Sequence, residues 1–136
     1  MPSIVRYQKA ISALTTAELR LPEDPQTHAR LGTELAEVDG YTYVSLPDGA
    51  VLPEQPAGVT PEAVVLDDAT REAIKAASPH VRLINERVRA AIAERYSYAD
   101  ELKLLRTAPS AEFTAYNAYV EECRAWGHSQ KAGLGL

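Results

Sequence analysis

Residues 34 to 46 read ELAEVDGYTYVSL, two short runs of strand-forming residues with Asp39-Gly40 between them. Asp-Gly accepts the positive φ that a type I′ turn demands, so the stretch predicts a β-hairpin, Glu34 to Val38 paired with Tyr41 to Leu46. After the turn, Tyr41, Tyr43 and Ser45 fall on one side of the strand and Thr42, Val44 and Leu46 on the other. β-Branched and aromatic residues suit a half-buried pleat. Two or three hairpin strands are marginal alone in water and need a helix or another chain to cover them.

Upstream, Ile4, Val5 and Tyr7 have the makings of a short strand. Ile11 to Leu19 fits either a strand or one or two helical turns, because so short an apolar run does not choose a period. Residues 21–27, LPEDPQT, are loop-like. Downstream, Pro47-Asp48-Gly49 forces a further turn, and LPEQPAGVTP (52–61) carries three prolines. Proline lacks an amide donor and extends the residue before it, so this piece predicts a connector.

Beyond the connector the period becomes helical. Asp68 can cap a helix over Ala69 to Ala77, and Ser78-Pro79 supplies an N-cap and a first helical residue for the next. Over 79–96, Val81, Ile84, Val88, Ala91 and Ile92 share one stripe, with Arg82, Glu86 and Arg89 on another. Ser97 with Asp100 resembles a capping box that opens a helix with Tyr98, Leu102 and Leu105 on one face. Ala108-Pro109-Ser110 breaks it and caps another, in which Phe113, Tyr116, Val120 and Cys123 recur, and Gly127 is a natural stop.

The expected fold is therefore α+β: a small N-terminal antiparallel β-hairpin region followed by a C-terminal bundle of three to four short helices. Its expected divisions are a β-rich region (1–51), a proline-rich extended connector (52–66), a helical bundle (67–127) and a flexible tail (128–136) that frays unless it docks.

The 136-residue chain has the length of one domain, and 46% hydrophobic residues suffice for a modest core. Its formal charge of -5 lies wholly in residues 1–66, where four basic groups meet nine acidic ones; residues 67–136 carry ten of each. An acidic half lacks the surplus of Lys and Arg that phosphate binding requires, which disfavours nucleic acid as a partner. One cysteine excludes an intramolecular disulfide. The N-terminal residues MPSIVRYQKAIS lack the pattern of a secretory leader, and no stretch approaches the length of a membrane span. The expected location is the cytoplasm, with no membrane partner.

Candidate chemistry is sparse. His128 lies five residues after Cys123, about 140° away around a helix, so the two do not converge as nucleophile and base. Cys123 shares the stripe of Phe113, Tyr116 and Val120 and reads as a packing residue. His28, His80 and His128 are too far apart for a structural zinc pattern. The acidic pairs Asp67-Asp68 and Asp100-Glu101 sit where helix first turns favour acids, and Glu121-Glu122 fits a solvated helix face. No catalytic residue, cofactor site or metal ligand set is assigned, and an enzyme is not expected. Arg82, Arg87 and Arg89 are the candidates for a helix entering a nucleic-acid groove, but Glu86 and Glu94 interrupt their charge and they spread around the cylinder.

Tyr119 and Trp126 fall seven apart, hence on one helix face, beside the Phe113 stripe. They are the candidate partner-binding residues together with Tyr41 and Tyr43 of the hairpin, since Tyr and Trp favour sites with one end buried and the other against a partner. A wide core face explains Tyr119 and Trp126 equally well.

VDGYTYVSLPDGAVLPEQP (38–56), followed by YSYADELKLLRTAPSAEFTAYNAYVEECRAWG (96–127), resembles small proteins encoded in the tail-gene regions of tailed bacteriophages and prophages, near tail-fibre and tail-fibre-assembly genes. The similarity covers roughly residues 35–127 and carries no catalytic signature, so no functional residue transfers. It implies a non-enzymatic minor tail component or a fibre-assembly chaperone, made in the host cytoplasm and in one case retained in the virion. The implied partners are other tail or fibre proteins, or further copies of the chain. The alternatives are a general protein-interaction adaptor and, behind it, a nucleic-acid-binding regulator.

Overall fold

The computed structural model describes residues 2–136. It contains β1 (Ser3–Tyr7), β2 (Thr33–Val38), β3 (Tyr41–Leu46), β4 (Glu62–Val64), α1 (Asp68–Ala77), α2 (Pro79–Arg95), α3 (Tyr98–Arg106) and α4 (Ala111–Gly133). The four strands form one antiparallel sheet in the order β2-β3-β1-β4, giving the expected α+β fold. The chain divides into two units, Met1–His80 with Gly133–Leu136, and Val81–Ala132.

The hairpin forms as its turn chemistry requires. Asp39 and Gly40 take φ of 52° and 81°, and Val38 pairs with Tyr41 across the turn. The register shifts between Glu34 and Ala36, a bulge that leaves Leu35 fully buried.

The sheet is covered on both faces, where the sequence pattern suggests only one. Val5, Tyr7, Val44 and Leu46 pack with Leu19 and Val59, so one cover comes from irregular chain. Ile4, Leu35, Ala36 and Tyr43 pack on the other face with Ile74 of α1, flanked by Leu134 and Leu136. The alternation of β3 is as expected, but each of its two sides meets its own cover.

Several boundaries differ from the sequence reading. The 52–66 connector contains β4, which hydrogen-bonds along β1, because Glu62 to Val64 follow the last proline and have free amides to offer. Its proline-rich part is stapled to the chain: the Gln55 carboxamide accepts from the Arg20 N–H at 2.7 Å and donates to the Arg20 carbonyl at 2.9 Å. Ile11 to Leu19 is neither strand nor helix, apart from a single bridge between Ala10 and Thr16. The cap of α1 is Asp67, not Asp68, with the Thr70 N–H donating to its carboxylate at 2.7 Å. That helix belongs with the sheet, so the 67–127 bundle loses its first member.

Residues 128–136 are likewise no free tail. α4 continues to Gly133, and Leu134 and Leu136 join the apolar cluster around Ile4 and Tyr43. Apolar docking overrides the weak local pattern of KAGLGL.

Candidate functional site

The second unit is built on α2 and α4. The expected capping box opens α3 between them, with Ser97 and Asp100 exchanging backbone and side-chain hydrogen bonds. Ser110 caps α4 by accepting from the Phe113 N–H at 3.0 Å.

α2 and α4 run antiparallel, since Val88 meets Gly127, Ala91 meets Tyr119, and Arg95-Tyr96 meets Tyr116 and Tyr119. Gly127 does not stop α4 but sits buried within it. A Cβ added there would stand 2.9 Å from Val88 Cγ2, so glycine permits the close approach of the two helices. It extends the spacing of Phe113, Tyr116, Val120 and Cys123 by one further step, and the stripe explains its position better than a C-cap would.

Tyr119 anchors the pair. Its hydroxyl donates to the Ala91 carbonyl at 3.0 Å, and the Arg95 guanidinium lies 4.5 Å from its ring centre. Partial burial, and after it the hydrogen bond with Cys123, hold the Tyr119 phenol above its ordinary range, so it remains a neutral donor at physiological pH. Tyr96 closes the end of the pair with an edge-on contact to Tyr116, ring centres 5.0 Å apart.

Along one flank of this pair runs an open, apolar groove of about 420 Å³. Val88 and Ala91 of α2 and Tyr119, Cys123 and Trp126 of α4 line it, with Arg87 and Glu122 at its charged rims. Trp126 is 42% exposed. The structure thus brings Tyr119 and Trp126 into one surface. It places the other two candidate tyrosines in the sheet unit: Tyr43 is buried in the apolar cluster, and Tyr41 is half-buried with the Arg6 guanidinium 4.1 Å over its ring. The two-faced cover of β3 withdraws Tyr43 as a contact residue.

The three candidate arginines are all exposed but do not make one surface. Arg87 lines the Trp126 groove, whereas Arg89 lines a separate hollow with Ile92, Tyr98 and Glu101. α4 stays helical from Cys123 to His128, so the two diverge as their offset requires. The acidic pairs have structural work: Asp67 and Asp100 cap helices, and Glu121 pairs with Arg124. Among the described residues, no group of three or more His, Cys, Asp or Glu is placed to hold a metal ion. No helix among them is long and apolar enough to cross a membrane.

The spacing of Tyr119 and Trp126 was enough to put them on one face. The α2 side of the groove was not legible, because Val88 and Ala91 read as core positions; their place at a groove wall follows from the close approach at Gly127. Comparison with protein-family models, with curated proteins and with solved structures finds no match to this chain.

Proposed function

We propose that this chain is a non-enzymatic, tail-associated protein of a tailed bacteriophage or prophage, a fibre-assembly chaperone or minor tail component, that works by protein contact through its helical unit. The phage setting rests on the sequence resemblance of residues 38–56 and 96–127. The contact surface rests on one observation, the groove in which exposed Trp126 and hydrogen-bonded Tyr119 stand together between Arg87 and Glu122. An aromatic anchor at an apolar centre with charged rims is the composition of an interaction hot spot.

The test is co-expression of the chain with the products of its neighbouring genes, any tail-fibre protein among them, followed by affinity capture. Replacing Trp126 by Ala should leave the chain folded, as circular dichroism reads it, and weaken capture by at least about tenfold, as loss of a hot-spot aromatic does. Undiminished capture removes the groove as the contact surface. Failure of the unaltered chain to capture any fibre or tail protein removes the phage assignment.

A further inference from the structure

We infer that the Tyr119/Trp126 groove is occupied by the same groove of a second copy, so that the helical units of two chains pair through α2 and α4. This rests on the proposed contact role of the groove and names its first occupant.

Three observations converge on a second copy. First, the helical unit lacks an interior: Val81, Val120 and Gly127 are its only buried residues, α3 contributes none, and neither buried apolar cluster lies in this unit. Second, the two flanks of the α2/α4 pair differ. Tyr98 and Glu101 of α3 line a hollow with Arg89, Ile92 and Tyr96 on one of them. Arg87 and Ala91 project from the opposite flank, and Leu83, one turn before Arg87 on the same face, is 46% exposed. Two antiparallel helices with an open apolar flank become a four-helix arrangement when a second pair covers it.

Third, the rims are self-complementary. Arg87 stands on the α2 rim and Glu122 on the α4 rim of the same groove, and neither makes an ion pair among the described residues. α2 carries four arginines against two glutamates, and α4 three glutamates against one arginine and one lysine. A two-fold axis parallel to the helices sets α2 of one copy against α4 of the other. Arg87 of each chain then faces Glu122 of its partner, and Trp126 enters the shared apolar centre. Like charges meet in the alternative that sets α2 against α2, which selects this arrangement.

Sedimentation velocity of the full chain over a concentration series tests the inference, with circular dichroism to confirm that each variant is folded. The unaltered chain should sediment as a dimer. Arg87→Glu and Glu122→Arg should each raise the dissociation constant by at least about tenfold, and the double exchange should return it to within about threefold of the original. A monomer at every concentration overturns the inference, and so does a double exchange that associates no better than the single variants. A monomer that still captures fibre protein through Trp126 overturns the second copy alone. A dimer whose capture ignores Trp126 overturns the proposed function alone.

Discussion

In the sheet unit Leu35 and Ile74 have no exposed surface, and an apolar cluster lies on each side of the strands. In the helical unit Trp126 is 42%, Leu105 59% and Tyr98 76% exposed, and no residue of α3 is buried. The difference is geometric. A sheet offers two broad faces that short irregular segments can cover, so even the proline-rich strap finds a packing role. Two helices touch along a line, and side chains off that line stay in water until something else arrives. The sheet unit therefore covers both faces of its sheet and leaves Leu14, Val51 and Val65 exposed on connecting segments, whereas the helical unit presents apolar surface along the helices themselves.

The largest test of this contrast is Ile74→Ala, which empties the junction of α1 with β1, β2 and β3. It should cost about 2–5 kcal/mol in urea unfolding, as large-to-small changes at buried sites do. A loss below ~1 kcal/mol would show that the sheet unit is not the tighter of the two.

Gly127→Ala probes the helical line of contact. Overpacking against Val88 costs about 1–3 kcal/mol, of which better helix propensity returns about 1. A net loss of about 1 kcal/mol is expected, and Val88→Ala in the same chain should recover part of it by making room. If Gly127→Ala stabilises the protein outright, the close approach is not real.

Thr42→Val acts in the opposite direction. The Thr42 hydroxyl is buried and has no hydrogen-bond partner among the described residues, and an isosteric methyl removes that desolvation. Unfolding should become harder by up to about 1 kcal/mol; a loss of stability would mean that a water or a relaxed rotamer satisfies the hydroxyl.

The smallest effect is a difference between two caps in acid. The Asp67 carboxyl is lowered by hydrogen bonds from the Thr70 side chain and backbone, and the Asp100 carboxyl by hydrogen bonds from the Ser97 backbone and side chain. A carboxyl lowered in the folded state contributes stability above its unfolded value of about 4, and that contribution disappears as pH falls through the folded value. Both caps therefore weaken below about pH 4. α1 is held by Ile74 on the sheet whereas α3 has no buried residue, so amide exchange should accelerate first over residues 98–106. Simultaneous loss of both helices would contradict the contrast.

Much of the local structure was legible from short-range chemistry. Asp39-Gly40 specified the hairpin, Ser78-Pro79 the start of α2, and Ser97 with Asp100 the opening of α3. Such signals act within four residues and need no neighbour. Gly127 misled because the same residue type serves as a helix stop and as a close-approach site, and the choice between them lies in Val88, 39 positions earlier. Glu62 to Val64 were hidden for a similar reason: three residues carry no period, and pairing with β1 alone makes them a strand. Of the candidate site, the pairing of Tyr119 with Trp126 was readable from their spacing; the withdrawal of Tyr43 was not, since an alternating strand looks the same whether one face or both are covered.

The sequence by itself thus determined the hairpin turn, the caps at Ser97 and Ser110, the helical stripes and the α+β class, because each is set by local φ preferences, local hydrogen bonds or a repeating period. Tertiary structure decided which of those surfaces were used up. It placed α1 and the last leucines on the sheet, buried Tyr43, and left the flank of Arg87, Tyr119, Glu122 and Trp126 open. Burial depends on what the rest of the chain brings to each face, and no stretch of sequence carries that information alone.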